Sequence, residues 1–203
     1  MVVSYTELLD KMYREQLGEE AQRFVHFAAD GARRMNAMVD DLLEVAKAGS
    51  GEGPGERVEL ADELETVLGN LAARIEETNA EITSGELPAI IGDDRQVRQL
   101  LQNLVGNAIK FQRDGVTPHV RIEAEVQGPF VELTVKDNGI GIDVEQHDRI
   151  FRIFSRLHVR EAYEGTGIGL ALCQRIAAHH GGSIRVVESG DEGTTFGVKL
   201  PRA

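Results

Sequence analysis

The segments that decide the fold of this chain read NLVGNAIKF at residues 103–111, DNGIG at residues 137–141 and GTGIGL at residues 165–170. Taken alone, each is a weak signal, because a short glycine cluster is most often a turn. Together they bring two asparagines, a lysine, an aspartate and two glycine loops into one stretch of chain. That combination predicts a domain whose backbone N–H groups and polar side chains bind a phosphate-bearing ligand.

The first segment belongs to a helix predicted at residues 93–111, with one of the two aspartates at its start as the N-cap. Asn103 and Asn107 are four residues apart and Lys110 follows three residues later, so all three share one helical face. Amide oxygens suit a hard cation such as Mg²⁺, and a lysine supplies a charge for phosphate. The alternative is a solvated outer face, but asparagines among apolar neighbours are costly unless they meet a ligand.

The other two segments complete the predicted nucleotide site. Asp137 ends a predicted strand, where its carboxylate can accept a hydrogen bond from an adenine amino group. The glycines that follow let the backbone approach a ligand closely. The segment at 165–170 opens a predicted helix and supplies N–H groups for an anion. No strand directly precedes it and no Gly-Lys-Ser/Thr ending follows, which excludes a dinucleotide fingerprint and a Walker loop.

Residues 1–50 are predicted to be entirely helical, and a glycine-rich stretch follows them. Apolar residues of the second helix step by four and three along a heptad seam: Phe24, Ala28, Gly31, Met35, Met38, Leu42 and Val45. Because two helices make a poor core, we expect the hairpin to pair with a second copy in a four-helix bundle. A simple amphipathic helix on a globular core is the alternative.

The predicted organisation is α+β, with a helical hairpin at residues 1–47, a linker at 48–56 and an α/β sandwich domain at 57–203. In the last domain, strands are predicted at residues 57–60, 80–84, 87–91, 120–126, 130–136, 183–188 and 195–200. Helices are predicted at residues 62–77, 93–111 and 168–180. This mixture favours a sheet with helices on one face.

Composition narrows the possible functions. The net charge of −12 disfavours nonspecific binding to nucleic acid. The sequence has no membrane-spanning apolar run and no signal peptide, so we expect a cytoplasmic protein without a membrane segment. The single cysteine, Cys173, lies in an apolar helical pattern and is expected to pack in the core.

Read in order, these segments resemble the ATP-binding catalytic domain of two-component sensor histidine kinases, in the superfamily shared with gyrase-type ATPases. The motifs that carry the resemblance are the N box at 103–111, the glycine boxes at 137–141 and 165–170, the F box at 151–154 and the closing glycine motif at 193–196. Residues 154–158 and 163–167 are especially similar to phytochrome-like and PAS-linked kinases. The helical hairpin resembles the dimerisation and histidine-phosphotransfer domain of the same family.

The resemblance implies ATP and Mg²⁺ as cofactors. It places Mg²⁺ on Asn107 with Asn103 beside it, phosphates near Lys110, and adenine at Asp137. It makes residues 143–164 a mobile lid, with Arg156 as a candidate for the γ-phosphate, so the implied catalytic set is Asn103, Lys110 and Arg156. The other implied nucleotide contacts are Phe111, Gly139, Gly141, Ile142, Phe154, Gly165, Thr166, Gly167, Ile168, Gly169, Leu170 and Thr195.

The family's acceptor box, of the form His-Glu/Asp-x-x-x-Pro, has no counterpart in the sequence. No histidine precedes Gly18, and His26 lacks the flanking acid and proline, so we expect a surface or interface role for it. The pair His179-His180 matches a family helix end, and no metal site is expected there. Either the chain is a fragment whose sensor domain and acceptor box lie upstream, or the protein lacks the box.

The expected function is the catalytic core of a sensor histidine kinase. Such an enzyme transfers the γ-phosphoryl group of ATP to a histidine, which passes it to an aspartate of a response-regulator receiver domain. One alternative is a non-catalytic ATP-binding and dimerisation module. Another is a serine kinase of the anti-sigma type, against which the heptad hairpin argues.

Overall fold

A computed structural model of the chain describes residues 2–13, 17–47, 55–155 and 166–203. The chain divides into two compact units, residues 1–44 and residues 45–203. Most of the predicted linker lies outside the described residues. None of the described helices is both long and apolar enough to cross a membrane.

The first unit contains helices α1 (Val2–Tyr13) and α2, which runs from Glu19 to Lys47. Large side chains of the predicted heptad seam are exposed in the single chain, at 64% for Phe24 and 59% for Met35. Among the α2 residues whose burial is described, the buried ones are the small residues Ala29 and Ala32. A single copy therefore presents to solvent an apolar surface of the kind that oligomers bury.

The second unit is an α/β sandwich, as predicted. Its helices are α3 (Leu60–Asn70), α4 (Ala72–Thr78), α5 (Asp94–Lys110) and α6 (Gly169–His179). Its strands are β1 (Glu56–Val58), β2 (Glu81–Ser84), β3 (Ile90–Gly92), β4 (His119–Gln127), β5 (Phe130–Asp137), β6 (Ser183–Gly190) and β7 (Gly193–Pro201). One further turn of 3-10 helix spans Val144–Gln146.

Three predicted elements differ from the structure. The helix predicted at 62–77 is two helices, because the chain leaves helical geometry at Leu71, directly after Gly69 and Asn70, which are weak helix formers. The strand predicted at 57–60 ends at Val58, since Leu60 already begins α3. The strand predicted at 87–91 is displaced to β3.

The main sheet has the strand order β2-β4-β5-β7-β6, and β1 and β3 form a separate antiparallel pair. Strand β2 runs parallel to β4, whereas the remaining neighbours are antiparallel. Alternate residues of β5, Val131, Leu133 and Val135, are buried, and the same alternation reaches Asp137 at the end of the strand. The strand therefore delivers a carboxylate to the buried side of the sheet.

Helix α5 lies at the centre of the helical layer, where it contacts α3, α6, β4 and β5. Its N-cap is Asp93, whose Oδ1 accepts hydrogen bonds from the backbone N–H groups of Arg95 and Gln96. Leu100, Leu101 and other apolar residues fill its inner face and are fully buried. This packing fixes the helix in place, and its half-buried polar face carries the asparagines of the first segment.

Candidate nucleotide-binding site

Asp137 is a buried carboxylate at the end of β5. Its Oδ1 accepts a hydrogen bond from the N–H of Gly139 at 2.8 Å and another from the N–H of Thr194 at 3.1 Å. Burial raises the pKa of the Asp137 carboxyl, and these two hydrogen bonds oppose the rise. None of the hydrogen bonds among the described residues ends on Oδ2. One carboxylate oxygen is thus fixed by the fold, and the other is available to a ligand.

The loop after Asp137 is held on both sides. The N–H of Ile140 donates to the carbonyl of Phe111 at 3.0 Å, which ties the loop to the end of α5. On the other side, Gly193 adopts a φ of +114°, and a Cβ there would overlap the carbonyl of Asp137. Only glycine permits this conformation together with this close approach. The loop is therefore fixed both to the end of α5 and to the start of β7.

The polar face of α5 meets the beginning of α6. Asn103 Nδ2 donates to the carbonyl of Gln99 at 3.0 Å, which turns its Oδ1 toward Gly169. A Cβ on Gly169 would lie 2.6 Å from that oxygen, so a larger residue there would displace the Asn103 side chain. Asn107 and Lys110 are half-buried further along the same face. Asn103 of the first segment therefore lies beside Gly169 of the third segment.

The start of α6 has the features of an anion site. Its N-cap residue, Ile168, makes no side-chain cap hydrogen bond and its side chain is fully buried. The first N–H groups of a helix have no partner within the helix, and they carry the positive end of the helix dipole. Gly167 takes a φ of +74° immediately before them, and Thr166 and Leu170 flank this turn. Gly165, the first glycine of the segment, lies outside the described residues.

The described part of the predicted lid, residues 143–155, is anchored to the sheet. Phe151 is buried, and its ring packs edge-on against Phe196 of β7 with 6.4 Å between ring centroids. Phe154, predicted to contact the nucleotide, is 58% exposed and has a φ of +63°. The F-box aromatic that the fold buries is therefore Phe151. Arg156 lies outside the described residues, so its role stays a prediction.

The geometry favours Thr194 over the predicted Thr195 as the threonine of the site. Thr194 is buried and donates its N–H to Asp137, whereas Thr195 pairs with Lys136 in the strand ladder. Strand alternation could have indicated this, because Thr194 shares a face with the buried Phe196.

Two other residues of the site carry no sequence signal. Arg113 donates from Nε to the carbonyl of Asn138 and from a terminal nitrogen to the carbonyl of Asp191, both at 2.9 Å. Ser189 accepts a hydrogen bond from the N–H of Ile142 at 2.8 Å. Both side chains join the glycine loop at 137–141 to the hairpin between β6 and β7.

The oxygen atoms available at the site suit a metal ion that is already bound to the phosphate groups of a ligand. Within the described ranges, no group of three or more His, Cys, Asp or Glu side chains could hold a metal. The site instead offers the amide oxygen of Asn103, which lies beside Gly169 at the start of α6, and that of Asn107 four residues further along α5. Mg²⁺ is commonly held by few protein oxygens together with phosphate oxygens and water, so these residues fit it.

Comparison with known proteins agrees with this geometry. The sequence profile of the family described as "Histidine kinase-, DNA gyrase B-, and HSP90-like ATPase" matches residues 92–203, which is more than half of the chain. Cyanobacterial phytochrome A of Nostoc sp. is 42% identical over 200 residues, covering 98% of this chain and 26% of that protein. The phytochrome-like protein Cph1 of Synechocystis sp. is 40% identical over 200 residues, covering 98% of this chain and 27% of that protein.

A solved structure of similar fold is full-length ShkA in complex with AMPPNP, with a TM-score of 0.73 and 27% identity over 100% of this chain and 42% of that one. The chain spans about a quarter of the length of the two phytochromes. The matched profile covers α5, the Asp137 loop, α6 and the closing hairpin, and the two similar sequences are those of phytochromes. The chain therefore belongs to the histidine kinase-, DNA gyrase B- and HSP90-like ATPase family, as a sensor histidine kinase with phytochrome-like similarity.

Proposed function

We propose that this chain is the catalytic core of a sensor histidine kinase that binds Mg-ATP and transfers its γ-phosphoryl group to a histidine. The observation that carries the proposal is Asp137, a buried carboxylate with one oxygen fixed by two backbone N–H groups and the other left for a ligand. An acceptor at that depth matches the exocyclic amino group of adenine, which a guanine does not offer at the same position.

At the base end of the site, the loop from Asp137 to Gly141 forms the surface against which the purine lies. The N–H groups of Gly139 and Thr194 hold the carboxylate in one orientation, so that binding does not have to order it. Ile142 and Phe111 flank the same loop and supply apolar contact area, in keeping with the residues that the sequence indicates.

At the phosphate end, the proposed roles fall on α5 and on the start of α6. The first N–H groups of α6 would donate hydrogen bonds to phosphate oxygens, and Lys110 would neutralise part of their charge. Asn107 would hold Mg²⁺, which when bound shields the charge on the transferring phosphate, with Asn103 held on the same face by its hydrogen bond to the carbonyl of Gln99. Phosphoryl transfer depends chiefly on such positioning and neutralisation, so no covalent role is required of the protein.

The acceptor and the partners are part of the proposal. The histidines of this chain lie outside any acceptor box, so the phosphoryl group would go to a box histidine elsewhere in a longer protein or on another chain. From there it would pass to an aspartate of a response-regulator receiver domain in the cytoplasm. The exposed apolar residues of α1 and α2 support a homodimer formed through residues 1–47. A sensor domain in a longer parent protein would supply the input signal.

The test combines binding with transfer. Titration calorimetry of the full chain with Mg-ATP should detect binding, and Asp137→Ala should abolish it without loss of fold. In a second step, the chain is incubated with labelled ATP and a homologous hairpin that carries the acceptor box. Acid-labile label on the hairpin histidine supports the kinase, whereas binding without transfer to any such hairpin supports a non-catalytic module. Acid-stable label on serine would support the anti-sigma type of kinase.

A further inference from the structure

Ser189 lies near the end of β6, outside every motif that the sequence analysis singled out. Its Oγ accepts the N–H of Ile142 at 2.8 Å and lies 2.8 Å from the hydroxyl of Thr194, the residue opposite it in the strand ladder. The side chain is half-buried, so water competes for these partners only in part. One hydroxyl therefore contacts both the threonine of the candidate site and Ile142, the residue directly before the predicted lid.

These contacts complete a ring of hydrogen bonds. From Ser189 the ring runs through Thr194, whose N–H donates to Asp137, and then to Gly139, whose N–H donates to the same carboxylate oxygen. The chain then leads from Gly139 to Ile142, whose N–H returns to Ser189. The carboxylate that would accept the adenine amino group and the entrance of the lid thus belong to one network.

The two hydroxyl groups share one hydrogen bond, and either oxygen can be its donor. Ser189 has one hydroxyl proton, and its oxygen already accepts from Ile142. The carbonyl of Gly193 is 3.4 Å from Ser189 Oγ and Thr194 Oγ1 is 2.8 Å from it, so the contact with Thr194 is the shorter of the two. When Ser189 is the donor, the hydroxyl proton of Thr194 is left for an acceptor on a ligand, such as a ring nitrogen of a purine.

Resting on the proposed ATP site, we infer that Ser189 is a positioning residue that orients the Thr194 hydroxyl toward the base and fixes the entrance of the lid through Ile142. It acts through these two residues and does not contact the reacting atoms. If Ser189 were needed only for folding, its replacement would detach the hairpin between β6 and β7 from the glycine loop. Arg113 holds the same hairpin to the glycine loop independently, through the carbonyls of Asn138 and Asp191, so removal of the Ser189 hydroxyl leaves the hairpin attached.

The test uses the full chain with Ser189→Ala, Ser189→Thr and the control Ser183→Ala. Ser183 is exposed at the other end of the same strand, and its side chain makes no hydrogen bond among the described residues. Ser189→Ala should weaken Mg-ATP binding about tenfold, the loss expected for one partly buried hydrogen bond. Ser189→Thr, which retains the hydroxyl, should restore most of it, and Ser183→Ala should bind as the unmodified chain does.

A second readout separates positioning from folding. Hydrogen exchange followed by NMR should show faster exchange of the Ile142 amide in Ser189→Ala alone, with core amides such as that of Leu133 unchanged. The inference is overturned if Asp137→Ala abolishes binding while Ser189→Ala binds ATP as the unmodified chain does, or if Ser189→Ala loses its fold. If Asp137→Ala itself binds ATP normally, the proposed function fails instead.

Discussion

Replacement of Asp137 by asparagine separates the proposed binding role of this carboxylate from its structural role. The amide oxygen of Asn can accept the N–H groups of Gly139 and Thr194 as Oδ1 does now. Those two donors therefore fix the orientation of the amide and place its NH₂ group where Oδ2 lies. An adenine amino group would then face another donor, whereas the O6 of guanine would face a partner.

The expected loss of ATP affinity follows from the hydrogen bond that Asp137→Asn removes. A hydrogen bond to a charged acceptor contributes about 1.5–3 kcal/mol, and a buried donor left without a partner adds a further penalty. A total of about 3 kcal/mol corresponds to a loss of ATP affinity on the order of a hundredfold. The ratio of GTP affinity to ATP affinity should rise, because the new donor suits O6.

Although Asp137→Asn should lower ATP affinity, it should raise the stability of the ligand-free fold at pH 7. Burial raises the pKa of Asp137 above its value in the unfolded chain, so the folded state binds the proton more tightly. The stabilisation from this group is full below the unfolded pKa and is lost as the pH rises through the folded pKa. At pH 7 the ionised carboxylate therefore lowers the free energy of unfolding, and Asp137→Asn removes that loss.

Titration calorimetry with Mg-ATP and Mg-GTP measures the change in nucleotide affinity. Urea unfolding between pH 4 and pH 8 measures the change in the free energy of unfolding. We expect the variant to be at least as stable as the unmodified chain at pH 7, with the difference shrinking toward pH 4. Asp191→Asn, an exposed site on the hairpin between β6 and β7, is the matched control and should change neither quantity. ATP affinity within about threefold of the unmodified chain would refute the assignment of Asp137 to the base.

Three further predictions address other parts of the molecule. Asn107→Asp places a negative charge beside the proposed phosphate site and should abolish Mg-ATP binding in calorimetry while the melting temperature changes little; retained affinity would count against the metal role. Gly193→Ala should lower the free energy of unfolding in urea by about 3 kcal/mol or more, because of its φ and the backbone overlap. Gly115→Ala, which shares a positive φ but meets no atom within 4 Å, should cost only about 1 kcal/mol, and equal losses would show that the overlap is unimportant. Light scattering should give a dimer of the 22.3 kDa chain, and Phe24→Asp on the exposed seam should shift it toward monomer; a monomeric mass of the unmodified chain at high concentration would contradict the bundle.

Local pattern predicted most of the second unit because its elements have strong periodicity and strong end signals. Helix α5 begins after Asp93 and ends at Lys110, as its aspartate cap and apolar spacing indicate. Strands β4 and β5 alternate clearly and pair as the predicted hairpin. The break at Leu71 was missed because apolar spacing continues through it, although the weak helix formers before it were a signal.

The parallel pairing of β2 with β4 carries no local signal. A strand's periodicity specifies which of its faces is buried but not which strand lies beside it. The choice between Thr194 and Thr195 differs in this respect, because strand alternation alone places Thr194 on the same face as the buried Phe196 and Thr195 on the other face.

The sequence by itself determined the chemistry of this protein, since the asparagines, the aspartate and the glycine loops are local features whose types and spacing restrict what they can bind. The tertiary structure alone decided which atoms complete the site. Arg113 and Ser189 join loops that are 25 to 78 residues apart along the chain, and no short-range pattern records such contacts. They exist because the packing of α5, α6 and the sheet brings backbone carbonyls and N–H groups of distant turns within hydrogen-bonding distance, where burial requires that they be paired.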